Sequence, residues 1–499
     1  MKKVVYLPLD ERPCNYDFPA FLSEENRMYV LDRPDPSLLG RKKQAAKGDV
    51  IAAYLRKECA DAAYLIVSID MLLYGGIVPS RLHNKTVEEL QSQLDILDEL
   101  KNKNPGLKIY AFSLIMRCPS YSSADEEPDY YETCGREIFL RGQAEHKYLD
   151  GLISEEEYTA EVARLGEKIG NHLDDFLSRR ERNLAMVLEA LKKVGKTIDK
   201  FIIPQDDSSP LGYTALDQRK VKAFIEREKL GGVDIYPGAD EVGMTLLSAV
   251  VTDMEGYRPK VCPVFPQEEC KRVIPLYEDR AVEKSIAFQI KNAGCVLTDR
   301  EEDADILLFC NLPVGKMKNV TEEGGEPYLA RELEAFTDKM ASARKTGKAV
   351  AAADLAYCNG GDVEWMKLVS EKVGVFALAG YSGWNTSSNS LGTVICQAVL
   401  HYFYGDTAAH RRFLAERIYE DLGYCAHTRK YMTEGVLPEM GLDYFHADGR
   451  NGKVSELVKD ELERYIGENF PKVAKEYKIR SCEMPWSRMF EVGLRITER

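Results

Sequence analysis

Metal-binding and redox motifs are missing from this chain. Only seven of its 499 residues are histidine, and none stands in an H-x-x-x-H or H-E-x-x-H spacing; the 12 cysteines contain no C-x-x-C. Zinc therefore has no recognisable ligand set, and cysteine this sparse is not a disulfide scaffold. Cys262, Cys295, Cys310 and Cys396 lie inside apolar runs and read as reduced core thiols. No run reaches the roughly 18 apolar residues that a membrane-spanning helix needs, so no membrane partner is expected. After Lys2-Lys3, the charged residues Asp10, Glu11 and Arg12 arrive too soon for the roughly 7–15 apolar residues of a signal peptide, and a cytoplasmic location is the expectation. Basic surface is lacking as well. Against 81 Asp and Glu stand 67 Lys and Arg, a formal charge of -14 that repels a polyphosphate backbone. The basic runs Arg41-Lys42-Lys43 and Arg179-Arg180-Glu181-Arg182 are short, so nucleic acid is not an expected partner. Gly231-Gly232 and Gly360-Gly361 form neither G-x-G-x-x-G nor a P-loop, and no G-x-S-x-G surrounds Ser208 and Ser209.

What is present is a globular composition, 44% hydrophobic and 30% charged, with a recurring pattern. A short apolar run ends in a polar cluster and is followed by a longer amphipathic segment. The runs are Val4 to Leu9, Met28 to Leu31, Ala62 to Ile69, Leu107 to Ile115, Phe201 to Pro204, Val233 to Pro237, Ile306 to Cys310, Ala349 to Ala353 and Val375 to Ala379. Continuous apolar strands alternating with helices imply right-handed crossovers and a parallel sheet. The expected class is α/β: a parallel-stranded (β/α)-barrel-like body with a helical insertion and a helical C-terminal region. Open doubly wound sheets in two domains are the alternative, because periodicity marks parallel strands but not their closure. The division expected is 1–255, an α/β catalytic body with a charge-rich helical insertion at about 131–195; 256–400, a continuation or second α/β domain completing the site; and 401–499, mainly helical. Within the insertion, Glu155-Glu156-Glu157 and Asp174-Asp175 read as solvated helix faces. Leu90, Leu94, Leu97 and Leu100 mark a helical stripe over Thr86 to Asn102.

Parallel α/β folds bind ligands beyond the carboxyl ends of their strands. There this sequence places Asp10 and Arg12; Asp70 and Tyr74, leading to Arg81; Arg117; Gln205, Asp206 and Asp207; Asp240 and Glu241; Asp354; and Trp384, Asn385 and Asn389. Any one Asp or Ser after a strand is accounted for as a helix N-cap. Repeated at so many strand ends, they read instead as a common cleft in which gathered carboxylates raise one another's pKa. Carboxylates and amides hold sugar hydroxyls, and Trp384, Tyr74 or Tyr381 can stack on a sugar's apolar face. Arg12, Arg81 and Arg117 have two readings: binding a carboxylate or phosphate of the substrate, or neutralising their acidic neighbours. Cys14 and Cys118 lie near the proposed site, though buried inert cysteine is the commoner case.

The segment Phe201-Ile202-Ile203-Pro204-Gln205-Asp206-Asp207 resembles the acid pair of barrel-type retaining N-acetylhexosaminidases. That resemblance implies that Asp206 orients the substrate's 2-acetamido group, whose oxygen attacks the anomeric carbon, while Asp207 serves as general acid and then base. Asp240-Glu241, in Gly238-Ala239-Asp240-Glu241, resembles the Gly-Asp-Glu pair of another such family, without that family's preceding histidine; either pair stands as the catalytic one. Over its length the chain resembles a bacterial family of unknown function, on Pro8-Leu9-Asp10-Glu11-Arg12-Pro13, Ser68-Ile69-Asp70-Met71-Leu72-Leu73-Tyr74-Gly75-Gly76, Gly238-Ala239-Asp240-Glu241 and Gly383-Trp384-Asn385-Thr386-Ser387-Ser388-Asn389. The expectation is a glycoside hydrolase-like enzyme with a small sugar substrate and no cofactor. Two alternatives stand beside it: a hydrolase or lyase using Mg or Mn on a phosphorylated or acidic small molecule, and a non-catalytic carbohydrate-binding or sensing protein.

Overall fold

Apolar runs with no polar face become parallel strands here, since such a strand has both faces covered. The computed structural model describes residues 1–322 and 325–499. These divide into two units, one of Met1–Glu11, Asn26–Ala239 and Tyr277–Asp279, the other of Arg12–Glu25, Asp240–Leu276 and Arg280–Arg499.

The first unit contains strands β1 (Lys2–Leu7), β2 (Tyr29–Asp32), β3 (Tyr64–Ser68), β4 (Lys108–Phe112), β5 (Lys200–Gln205) and β6 (Val233–Pro237). All pairings are parallel, in the order β2-β1-β3-β4-β5-β6. The chain leaves β1 on one side and returns on the other at β3, and that reversal is a topological switch point, where open sheets bind ligands beyond the strand ends. At the end of β3, Ser68 caps the helix Ile69–Tyr74 by accepting from the Met71 N–H at 3.1 Å. Gly75, at φ 87°, ends it after a turn and a half. Asp70 is thereby fixed just past the strand tip.

Between β4 and β5 run three helices, Tyr131–Leu149, Glu155–Ile169 and His172–Lys192. They share a core that includes Tyr131, Ile138, Leu165, Ile169 and Phe176. Glu155, Glu156 and Glu157 are exposed; Glu157 completes a capping box with Ser154, and Asp175 pairs with Arg179 at 2.8 Å. The leucine stripe is buried as its spacing implies, but on two helices, Val87–Leu94 and Ile96–Lys103, rather than one.

The second unit holds β7 (Lys260–Val264), β8 (Val296–Leu297), β9 (Ile306–Asn311), β10 (Lys318–Asn319), β11 (Ala349–Asp354), β12 (Tyr357–Cys358), β13 (Gly380–Ser382) and the antiparallel hairpin β14 (Tyr477–Glu483) and β15 (Gly493–Glu498). Its main sheet is parallel in the order β13-β11-β9-β7-β8, and β10 pairs with β12. The helix Ser387–Tyr404 is buried over most of its length and packs on β11 and β13. Its approach to the sheet needs a glycine: a Cβ on Gly380 would lie 2.8 Å from the Val394 carbonyl oxygen.

Among the described residues no pairing closes either sheet: β2 and β6 bound the first, β13 and β8 the second. The barrel is therefore not seen, and open doubly wound sheets fit. Closure depends on strand tilt and stagger, which no local pattern encodes. Several strands also depart from the sequence reading, among them the short β8, β10 and β12 and the hairpin β14–β15, which lie outside the nine apolar runs. Val375–Ala377 is a 3-10 turn, with the strand following at Gly380. β7 was hidden by Pro263, a residue that argues against a central strand. It is tolerated because β8 pairs only with Lys260 and Val261, leaving Pro263 beside an open edge.

Candidate functional site

In the first unit, the loops after β3, β4 and β5 line a cleft that includes Asp70, Ser80, Arg81, Arg117, Asn183 and Asp206. Its empty volume is about 230 Å3, part of it open to solvent. Two buried guanidiniums organise it. Arg81 donates to Asp206 at 2.8 Å, Glu126 at 3.0 Å and Glu127 at 3.2 Å. Arg117 donates to Glu127 at 2.8 Å and to Asp207 and Glu126, both at 3.1 Å, and its Nη1 stands 3.5 Å from Asp206. Both arginines thus serve their acidic neighbours, and four carboxylates gather on this pair of guanidiniums.

The adjacent acids Asp206 and Asp207 have unlike surroundings. Asp206 meets both arginines, whereas Asp207 meets Arg117 alone. Burial, then the neighbouring Asp206, pushes Asp207 up to about 6 against the pull of Arg117. Asp207 also sits at φ 45°, in the left-handed region that aspartate and asparagine enter more readily than other side chains. Asp70 is 3% exposed and accepts from the Leu114 N–H at 2.9 Å; burial carries it up to about 7, outweighing that bond and Arg81.

The other residues expected in this unit are less available. Asp10 is buried just past β1. Gln205 is buried and accepts from Gln218 Nε2 at 2.6 Å. Tyr74 is buried with its ring stacked on His83, 4.6 Å between centroids, so it offers no open face to a sugar. Cys118 is buried and its thiol is pushed up to about 11, which disfavours a nucleophilic thiolate.

The remaining expected residues belong to the second unit. Arg12 pairs with Asp240 at 2.5 Å, and Asn15 donates to the same carboxylate at 2.9 Å. Glu241 is fully buried and accepts from Gln289 at 2.8 Å. Asp354, at the end of β11, accepts from the Asp362 N–H at 2.6 Å, Asn311 at 3.1 Å and the Tyr381 hydroxyl at 3.3 Å. Burial, then Asp362, raises it to about 8. Asp362 caps the helix Val363–Lys372 and pairs with Arg331 at 2.5 Å, so this cluster is a buried structural network. Tyr381, fully buried there, is no stacking platform either. Trp384 and Asn385 line a second cleft, whereas Asn389 is buried in the first turn of Ser387–Tyr404.

Sequence reasoning missed Glu126 and Glu127, which look like an ordinary acidic pair in a polar loop, and the acids of the π-helix Ile418–Thr428. There Arg417 bonds Glu420 and Asp421, and Asp421 accepts from the Gly383 N–H at 2.7 Å. A single Arg-x-x-Glu-Asp run carries no local sign of that role. Among the described residues, no group of three or more His, Cys, Asp or Glu side chains is arranged to hold a metal ion. No described helix is long and apolar enough to cross a membrane.

Comparison with curated proteins finds no match. A family model described as protein of unknown function, DUF4127, matches residues 4–495. The match spans nearly the whole chain, and the chain belongs to the DUF4127 family.

Proposed function

We propose that the chain is a glycoside hydrolase-like enzyme acting on a small N-acetylhexosaminide through Asp206 and Asp207. The observation that carries this reading is the pair itself: two adjacent carboxylates beside one cleft, one engaged by two guanidiniums and the other raised to about 6. Unlike environments for two acids are what divided acid and orienting roles require. Asp206 accepts the acetamido N–H, and the acetamido oxygen attacks the anomeric carbon. The glycosidic oxygen departs with the proton of Asp207, which then takes a proton from the water that opens the cyclic intermediate. Four carboxylates against two guanidiniums also favour the positive charge that grows on the sugar ring at the transition state.

The test is hydrolysis of aryl N-acetylhexosaminides by the full chain and by Asp207→Asn. Turnover by the wild type and a loss of about 10²–10⁴-fold in the variant are expected. Absence of wild-type turnover on any aryl N-acetylhexosaminide, or near-native turnover in the variant, overturns the reading.

A further inference from the structure

The cleft of the second unit takes no part in that chemistry. Its empty volume is about 400 Å3, part of it open to solvent, and Arg12, Trp384, Asn385, Glu420, Arg429 and Glu491 are among the residues lining it. One wall comes from an unusual helix. Ile418–Thr428 is an 11-residue π-helix, a form that mostly occurs as single turns and often at functional sites. Its i→i+5 bonds widen each turn and bring residues five apart onto one face. Glu420 and Cys425 both line the cleft for that reason, with Arg429 one turn further on. In an α-helix, at 3.6 residues per turn, positions 420 and 425 would point about 140° apart.

Arg429 decides what the cleft can hold. It is 9% exposed, and its donors go to neutral acceptors: Nη1 to the Phe490 carbonyl at 2.8 Å, Nη2 to the carbonyls of Asn359 at 2.6 Å and Cys425 at 3.3 Å. Among the described residues no carboxylate pairs with it, although buried charges are as a rule paired. Each of the other charged groups named on this cleft has a partner of opposite sign. Arg12 has Asp240 at 2.5 Å, Glu420 has Arg417, and Glu491 has Arg488 at 3.3 Å. Arg429 alone among them is met by carbonyls rather than by a group of opposite charge.

We propose that this cleft is a binding site for a sugar acid, a polyhydroxylated ring bearing one carboxylate, with the carboxylate held by Arg429 and the ring beside Trp384. A carboxylate oxygen can accept from the guanidinium N–H groups that Phe490, Asn359 and Cys425 leave unused. A phosphate dianion is disfavoured because Glu420 and Glu491 face the same space, and like charges repel. Trp384 and Phe490 supply an apolar wall, and the amide of Asn385 supplies a donor and an acceptor for hydroxyls.

Calorimetric titration of the full chain with glucuronate, galacturonate, gluconate, glucose, glucose 6-phosphate and inorganic phosphate tests the proposal. At least one sugar acid should bind about tenfold or more tightly than glucose, and more tightly than either phosphate compound. Asn385, at φ 48°, occupies a left-handed position that aspartate also tolerates, so Asn385→Asp adds a negative charge with little strain. It should weaken the acid about tenfold or more, as should Arg429→Met where melting shows the variant folded; where it is not folded, Asn385→Asp decides. The double variant Asp206→Asn, Asp207→Asn should bind the acid unchanged, which separates this site from the proposed hydrolytic one. Equal binding of glucose, tighter binding of phosphate, no binding of any sugar acid, an unaffected Asn385→Asp variant, or loss of binding in the double variant overturns the proposal.

Discussion

The two clefts use arginine in opposite ways. In the first unit Arg81 and Arg117 are shared among Glu126, Glu127, Asp206 and Asp207. In the second, Glu420 and Glu491 each have a guanidinium behind them and Arg429 is left with carbonyls only. Both walls mix arginine and carboxylate, and composition alone would call them alike. What differs is how the arginines are partnered. Guanidiniums shared among several acids favour a cationic transition state, and a guanidinium met by carbonyls alone favours an anionic ligand.

The sharpest way to break this contrast is through the acids themselves. Asp207→Asn should lower turnover about 10²–10⁴-fold while the melting temperature barely moves, because the side chain is partly exposed and its shape is kept. Turnover should also fall as pH rises through about 6, where Asp207 loses the proton it donates; a rate flat from pH 5 to 8 would remove Asp207 from that role. Arg417, by contrast, is fully buried between Glu420 and Asp421 and stacked 3.9 Å over Phe18. Arg417→Met should cost about 3–5 kcal/mol in denaturant unfolding, since it strands buried carboxylates; a cost under about 1 kcal/mol would show that this pairing is not what holds the π-helix.

Asp70 sharpens the comparison through linkage. Its folded value, about 7, exceeds the ordinary value of about 3.9, so the native state holds the proton more tightly. The stability it contributes is complete below about pH 4, declines as pH rises, and is gone above about pH 7. Asp70→Asn should flatten that decline, which has a slope of at most about 1.4 kcal/mol per pH unit; an unchanged slope between pH 4 and 7 would count against a buried, proton-holding Asp70. The smallest effect belongs to the insertion. Glu155→Gln with Glu156→Gln should leave turnover and melting temperature unchanged within error, because both side chains are solvated.

The strand tips were legible in the sequence wherever a strand was a continuous apolar run: β3 and β5 lead into Asp70 and Asp206, and β11 ends in Asp354, as such runs do where water or ligand begins. Asp206-Asp207 was visible for the same reason. The helix-cap alternative proved true of Ser68, Asp362 and Thr386, which satisfy N–H groups of the helices they start. It did not describe Asp70, Asp240 or Asp354, whose partners lie far along the chain or across a turn. Tyr74 and Tyr381 were misjudged because an aromatic residue after a strand looks the same whether it faces a ligand or the core.

By itself the sequence determined the α/β class, the parallel strands and the acids that follow them, because burial on two faces and the period of a helix are local properties of the chain. Only the tertiary structure decided that the sheets stay open, that Glu126 and Glu127 join Arg81 and Arg117, and that a π-helix carries Glu420 and Cys425 to one wall. Strand stagger and the pairing of charges distant in sequence are set by packing, and packing leaves no periodic mark on the chain.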